Sequence, residues 1–180
     1  MQRHRVLIVD GYNVIRNNAR YSDLGPDYEG GSYWNDAREA LINDAAYYTV
    51  AEGYERCTVV FDGAGNPLSS GKPQSVTGVS VVFSPRGRSA DSVIEKLAYD
   101  ARVQGFEVVV VSSDFTVQST VFGGGVTRMS SSGFGMASAQ LEESWQENAK
   151  RPSHVKNTVA ERVSPEVVEK LRRMRDGDGR

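Results

Sequence analysis

Three apolar runs in this chain each give way to an aspartate. Val6-Leu7-Ile8-Val9 leads into Asp10, Val59-Val60-Phe61 into Asp62, and Val109-Val110-Val111-Ser112-Ser113 into Asp114. A fourth acid, Asp91, falls in the first turn of a helix that follows another such run, Val79 to Phe83. Short runs of this kind suit strands buried on both faces of a parallel sheet. The carboxyl ends of parallel strands share one edge, where open α/β sheets place their ligands. All four carboxylates can therefore converge. Like charges gathered in a partly buried cleft cost on the order of several kcal/mol, and a cation among them removes that cost. Oxygen-only ligation selects Mg²⁺ or Mn²⁺ over zinc. Glu95 lies one turn beyond Asp91, a spacing at which like charges destabilise a bare helix by about 0.2–0.5 kcal/mol and which a bridging metal would make favourable. Asp10, Asp91 and Asp114 are thus candidate catalytic residues and, with Asp62 and Glu95, candidate metal ligands.

The structural alternative is that each aspartate merely caps a helix or complements its dipole. Taken singly, each fits that reading. Taken together, Asp10, Asp91 and Asp114 require the same accident at three separate β–α junctions. Asp62 is the weakest of the four, since Gly63-Ala64-Gly65 invites an Asx turn. Supporting roles suit Asn13 and Ser113, which either orient the site or act as helix caps. Arg86 and Arg88, just before Asp91, can meet a phosphodiester or simply be solvated. Arg38 opens a helix, the wrong end for a cation, which hints at an anionic contact. Tyr12, Tyr33 and Trp34 either stack on bases or pack internally.

The elements that must position these residues can be read in order. After Asp10 a polar passage to about Tyr33 holds a short helix near Val14–Ala19. Helical spacing of Ala37, Ala40, Leu41, Ala45 and Tyr48 then runs from about Asn35 until Gly53. Strands follow at Cys57–Phe61 and Val79–Phe83, separated by a turn-rich passage over residues 63–78. Ser89 caps a helix from Ala90 that Gly105 closes. Further strands are expected at Glu107–Val111 and Val126–Met129, with a short helix between them through about Val121. A helix around Met136–Gln146 covers an edge. Lys150 to Ser164 reads as a linker, and Pro165 opens a terminal helix to Met174. Strands alternating with helices indicate an α/β fold with a mainly parallel sheet. The expected organisation is one domain over residues 1–149 and a basic linker and C-terminal helix over 150–180.

Composition narrows the chemistry. Apolar residues at 39% and charged residues at 24% belong to a globular chain. No apolar run approaches the roughly 18 residues that span a bilayer, and no signal-peptide core opens the chain, so the cytoplasm is the expected location and no membrane partner is implied. Cys57 is the only cysteine, with His4 and His154 the only histidines. That removes Cys/His zinc sites, disulfide frameworks, a Cys–His nucleophile pair and a two-histidine ribonuclease. Cys57, opening a strand, reads as an inert core thiol. Residues 150–180 carry nine Lys or Arg against five Asp or Glu, while residues 1–149 carry twelve against eighteen. An acidic body with a basic tail suits acids that hold cations and a tail that meets an anionic partner, or equally a solvated basic helix.

Four motifs in order resemble one known family. Val9-Asp10-Gly11-Tyr12-Asn13-Val14-Ile15, Val59-Val60-Phe61-Asp62, Ser89-Ala90-Asp91-Ser92-Val93-Ile94-Glu95 and Ser112-Ser113-Asp114-Phe115-Thr116-Val117-Gln118 are similar to the successive motifs of YacP-like NYN-domain proteins, with order and spacing kept across about residues 5–147. The family belongs to the PIN-like nucleases. The resemblance implies a three-layer α/β/α sandwich and metal-dependent cleavage of RNA, and further implies an endoribonuclease acting on ribosome-associated mRNA. By position, Asp10, Asp91 and Asp114 match the acidic metal site, with Asn13, Asp62 and Glu95 around it. Ser89 stands where the family often has Thr. The 65–78 loop and the 150–180 tail match nothing that transfers.

The expected reaction is Mg²⁺- or Mn²⁺-dependent hydrolysis of single-stranded RNA, leaving a 5′-phosphate and a 3′-hydroxyl. A rival is an RNA- or ribosome-binding module that keeps the fold without the chemistry. A haloacid-dehalogenase-type phosphatase would need a second Asp where Tyr12 stands. A dinucleotide-binding domain would need a Gly-x-Gly-x-x-Gly turn after the first strand, which is missing.

Overall fold

The structure, a computed structural model, describes residues 4–25, 35–63, 70–114 and 126–150. Two compact units are distinguished, Met1–Glu143 and Ser144–Arg180. The first holds the sheet and every site residue treated below. The described part of the second is residues 144–150, the end of a helix.

Six strands form one sheet: β1 (Arg5–Asp10), β2 (Arg56–Phe61), β3 (Gln74–Val76), β4 (Val79–Phe83), β5 (Glu107–Val111) and β6 (Val126–Met129). Their spatial order is β3-β4-β2-β1-β5-β6. Every pairing is parallel except that of β3 with β4. Alternation along the central strands divides the core. Leu7 and Val9, with Val59, Phe61, Val109 and Val111, face α1 (Gly11–Arg16), α2 (Ala19–Ser22), α3 (Asn35–Ala51) and the start of α5 (Ser131–Lys150). Val6 and Ile8, with Val60, Val108 and Val110, face α4 (Ala90–Val103). Burial on both faces is why these strands read as unbroken apolar runs. Helices on both faces of a mainly parallel sheet make the three-layer α/β/α sandwich that was expected.

From β1 the chain moves outward through β2 to β4, then returns to the other side of β1 as β5. The helix of the first crossover, α3, and that of the return, α4, lie on opposite faces, as right-handed crossovers in opposite directions demand. The switch point lies between β1 and β5, at their carboxyl ends.

Apart from one-residue extensions of β1 and β2, three elements differ from expectation. The first helix starts at Gly11 rather than near Val14, because Asp10 itself serves as its N-cap and accepts from the Asn13 amide. The turn-rich 63–78 passage contains β3, a strand with all three residues exposed. It pairs with β4 through a two-residue turn in which Thr77 (φ 51°) and Gly78 (φ 81°) are both left-handed, the type I′ geometry that matches strand twist. The last described helix begins at Ser131, five residues before Met136, since Ser130 Oγ caps it by accepting from the Gly133 amide at 3.0 Å. The short helix expected near Val121, Tyr33, Trp34, the 150–164 linker and the 165–174 helix lie outside the described residues.

Candidate active site

Asp10 ends β1 at the switch point and is 6% exposed. Its Oδ1 accepts from the Asn13 amide at 3.3 Å, and its Oδ2 accepts from the Ser112 hydroxyl at 3.1 Å. Ser112, the residue after β5, is itself buried and its Oγ accepts from the Asp114 amide at 3.1 Å. One hydroxyl thus fixes the Asp10 carboxylate and the backbone at Asp114 together. Asn13 adds a second tie: its Oδ1 accepts from the Ser113 amide and from the Ser131 hydroxyl, both at 2.8 Å. The Ser113 hydroxyl accepts from the Ser131 amide at 3.0 Å. The turn after β1, the turn after β5 and the start of α5 are laced into one polar cluster.

The same device recurs one edge away. Ser84 follows β4 as Ser112 follows β5. Its buried Oγ accepts from the Gly63 amide at 2.9 Å and donates to Asp62 Oδ1 at 3.4 Å. Asp91 lies in the first turn of α4, whose N-cap Ser89 accepts from the Ser92 amide.

Electrostatics tie these carboxylates together. Burial pushes the Asp10 carboxyl up to about 6; the bonds from Ser112 and Asn13 act the other way, and the charges of Asp91 and Asp114 raise it further. Asp91 is also raised above the usual carboxylate range, first by burial and then by Asp114 and Asp62. The four aspartates that the sequence placed on one edge therefore act on one another across it. Among the described residues, no three His, Cys, Asp or Glu side chains are grouped at metal-ligand spacing. The donor set itself is all carboxylate oxygen, and Asp10, raised by burial and by its acidic neighbours, is the kind of group a hard divalent cation returns to its charged form.

The remaining candidates divide. Arg38 is half-buried, donates to the Tyr12 hydroxyl at 3.4 Å and to Asn35 Oδ1, and lies 5.6 Å from the centre of the Phe83 ring. The side chains of Glu95, Arg86 and Arg88 are exposed and make no hydrogen bond or ion pair among the described residues. Cys57 is buried, with its thiol pushed up to about 12 by burial, an unreactive core residue. Sequence reasoning missed Ser112, Ser84 and Ser131. The available signal was a hydroxyl placed directly after an apolar run, at both Phe83-Ser84 and Val111-Ser112.

The YacP-like NYN domain model matches residues 7–176. The chain belongs to the YacP-like NYN family. It is 30% identical over 173 residues to a Bacillus subtilis (strain 168) protein called uncharacterized protein YacP, covering 96% of this chain and 98% of that one. Its fold is similar to the crystal structure of Rae1 (YacP) from Bacillus subtilis, with a TM-score of 0.69 at 29% identity, covering 96% of this chain and 95% of that chain. The crystal structure of a mutant form of the same Bacillus subtilis protein gives a TM-score of 0.68 at 28% identity, covering 87% of this chain and 89% of that chain. Membership accounts for the order of the four motifs. No helix among the described residues is long and apolar enough to cross a membrane.

Proposed function

We propose that this chain is an endoribonuclease that hydrolyses single-stranded RNA with Mg²⁺ or Mn²⁺, acting in the cytoplasm on ribosome-associated mRNA. The supporting observation is the mutual electrostatic effect of Asp10, Asp91, Asp114 and Asp62 at the switch point of a nuclease-family fold. Asp10, Asp91 and Asp114 would hold the ion, with Asp62 and Glu95 nearby. Such an ion supplies a Lewis acid that lowers the pKa of water and neutralises charge on the phosphoryl oxygens.

The chain's own groups do the rest. Ser112 and the Asn13 amide hold Asp10 in one orientation, so its carboxylate need not reorganise when substrate arrives. The buried Ser84 hydroxyl steadies Asp62 in the same way. Arg38, Arg86 and Arg88 supply cationic contacts for the RNA backbone. Residues 1–149 would carry the nuclease and the basic 150–180 segment would meet an anionic partner.

The spacing of the acids favours a second reading, an RNA-binding module without turnover. Cleavage of labelled single-stranded RNA in Mn²⁺, in EDTA, and by Asp10→Asn and Asp114→Asn separates the two. Cleavage in Mn²⁺ that is lost in EDTA and in both variants is the expected result. RNA binding without any cleavage would leave the second reading standing.

A further inference from the structure

Arg20 and Arg38 sit in opposite electrostatic settings. Arg20 is neutralised: its guanidinium donates to both oxygens of Asp44, at 2.6 and 3.1 Å, and to Glu142 at 2.7 Å. That is a structural clasp between α2, α3 and α5. Arg38 and Arg16 form no ion pair among the described residues. Arg38 is held by neutral groups only, the Tyr12 hydroxyl, the Asn35 amide oxygen and the face of Phe83. Arg16 lies 5.7 Å from the centre of the Tyr12 ring. The Tyr12 ring in turn packs edge-on against Phe61 at 5.1 Å.

The position of Arg38 follows from these contacts. Phe83 ends β4, and Tyr12 lies just beyond β1; between those two strands in the sheet runs β2. Arg38 therefore spans the carboxyl end of β2, on the α3 side, where Phe61 and Phe83 also lie. By strand alternation Asp10 and Asp62 fall on the opposite, α4 side, with Val6, Ile8 and Val60. A preorganised cation and a set of carboxylates thus flank the same sheet edge from its two faces.

We propose that Arg38, with Arg16 beside it on Tyr12, forms the backbone-binding track of the enzyme, so that an RNA strand crosses the sheet edge with one phosphate on Arg38 while an adjoining phosphodiester meets the carboxylates. Two bonds to neutral partners leave three guanidinium N–H donors for a phosphate and leave the charge uncompensated. The cost of ordering the side chain is already met by Tyr12, Asn35 and Phe83. Fixing the strand on the face away from the acids lets the substrate be held without crowding the metal ligands. Selectivity follows as well: Arg38 reads no base, so it contributes affinity without sequence preference.

This rests on the nuclease reading, and the test keeps the two separable. Binding of a fluorescein-labelled single-stranded oligoribonucleotide is measured by anisotropy in EDTA, with Mn²⁺ affinity of the same proteins measured by calorimetry. Arg38→Ala should weaken RNA binding about ten-fold and lower the salt slope by about 0.7, the value for one phosphate on a single strand. Mn²⁺ affinity should be unchanged, and KM for cleavage should rise more than kcat falls. Arg38→Lys, which keeps the charge, should keep the salt slope and recover part of the affinity; it also serves should the alanine variant fold poorly. Arg16→Ala should give a smaller loss of the same kind. Wild-type RNA affinity and salt slope in Arg38→Ala, with cleavage intact, would overturn the track alone. Lost Mn²⁺ affinity in that variant would overturn it too, by placing Arg38 with the acids. A wild-type protein that neither binds nor cleaves RNA would overturn both the track and the nuclease reading.

Discussion

The Ser112 hydroxyl reaches across the switch point to donate to Asp10 Oδ2 at 3.1 Å. Both residues are buried, and the same oxygen accepts from the Asp114 amide, so two of the candidate metal ligands depend on one serine. Ser112→Ala should lower Mn²⁺ affinity and RNA cleavage by about 10–100-fold, the range for loss of a group that orients a metal ligand. It should also cost about 1–3 kcal/mol of stability, since the Asp114 amide and Asp10 Oδ2 lose a partner. Paired calorimetric and denaturation measurements would show both, and full cleavage by the variant would mean that Ser112 does not orient the acids.

Asp10 carries a charge the metal-free fold does not favour. Its carboxyl titrates at about 6 in the folded protein, against 3.8 for an ordinary aspartate. Between those values the folded state keeps a proton that the unfolded chain has released. Stability in EDTA should therefore fall as pH rises from about 4 to about 6 and level off above, with a contribution of up to about 3 kcal/mol. Asp10→Asn removes that penalty but leaves one acceptor oxygen where the Asn13 amide and the Ser112 hydroxyl each had their own, so a net gain of about 1–2 kcal/mol at pH 7.5 is expected. Thermal melts in EDTA test the gain. Adding Mn²⁺ should reverse the ranking, raising the Tm of wild type and leaving Asp10→Asn where it was.

Gly11 is required by close approach. A methyl group at this position would overlap the ring of Phe61, which is fully buried. Phe61 also contacts Tyr12 and stacks on Phe83 at 5.4 Å, so the ring has little room to retreat. Gly11→Ala should cost about 1–3 kcal/mol. It should also disturb RNA binding through Tyr12 and Arg38. Urea denaturation with anisotropy on the same variant checks both, and an unchanged midpoint would show that the ring can move.

Asn13 serves as a hub rather than as a cap. Its Oδ1 is the acceptor for the Ser113 amide and for the buried Ser131 hydroxyl. Asn13→Ala should destabilise by about 1–3 kcal/mol per donor left unpaired and unsatisfied by water. Asn13→Asp, which keeps an acceptor oxygen, should restore most of the stability while adding a further negative charge beside Asp10. Denaturation curves for the two variants would rank them in that order; equal loss would mean the acceptor is not what matters.

The strands were legible where burial on both faces left no choice of residue. Val79–Phe83, Glu107–Val111 and Val126–Met129 stand where the sequence put them, and β1 and β2 each begin one residue earlier, at Arg5 and Arg56. β3 was not legible, because an exposed edge strand of Gln74-Ser75-Val76 has no apolar pattern to display. The α3 and α4 helices were found from apolar spacing, whereas the start of α5 in Ser130-Ser131-Ser132-Gly133 looks like loop until its cap is seen. That the four aspartates share one sheet edge was legible from position alone. The serines that hold them were not: nothing in Ser112-Ser113 says which hydroxyl turns toward Asp10. Strand alternation settles it, since Ser112 continues the Val108 and Val110 face toward Asp10, while Ser113 turns to Ser131.

One oxygen, Asn13 Oδ1, gathers bonds from residues 100 and 118 positions further along the chain. During synthesis every acid of the edge is made before Ser131 emerges. A nascent chain halted short of that residue would hold its full complement of aspartates yet lack the clasp between the first and last β–α turns. The edge is completed late, and a partly translated copy keeps its first and last β–α turns untied.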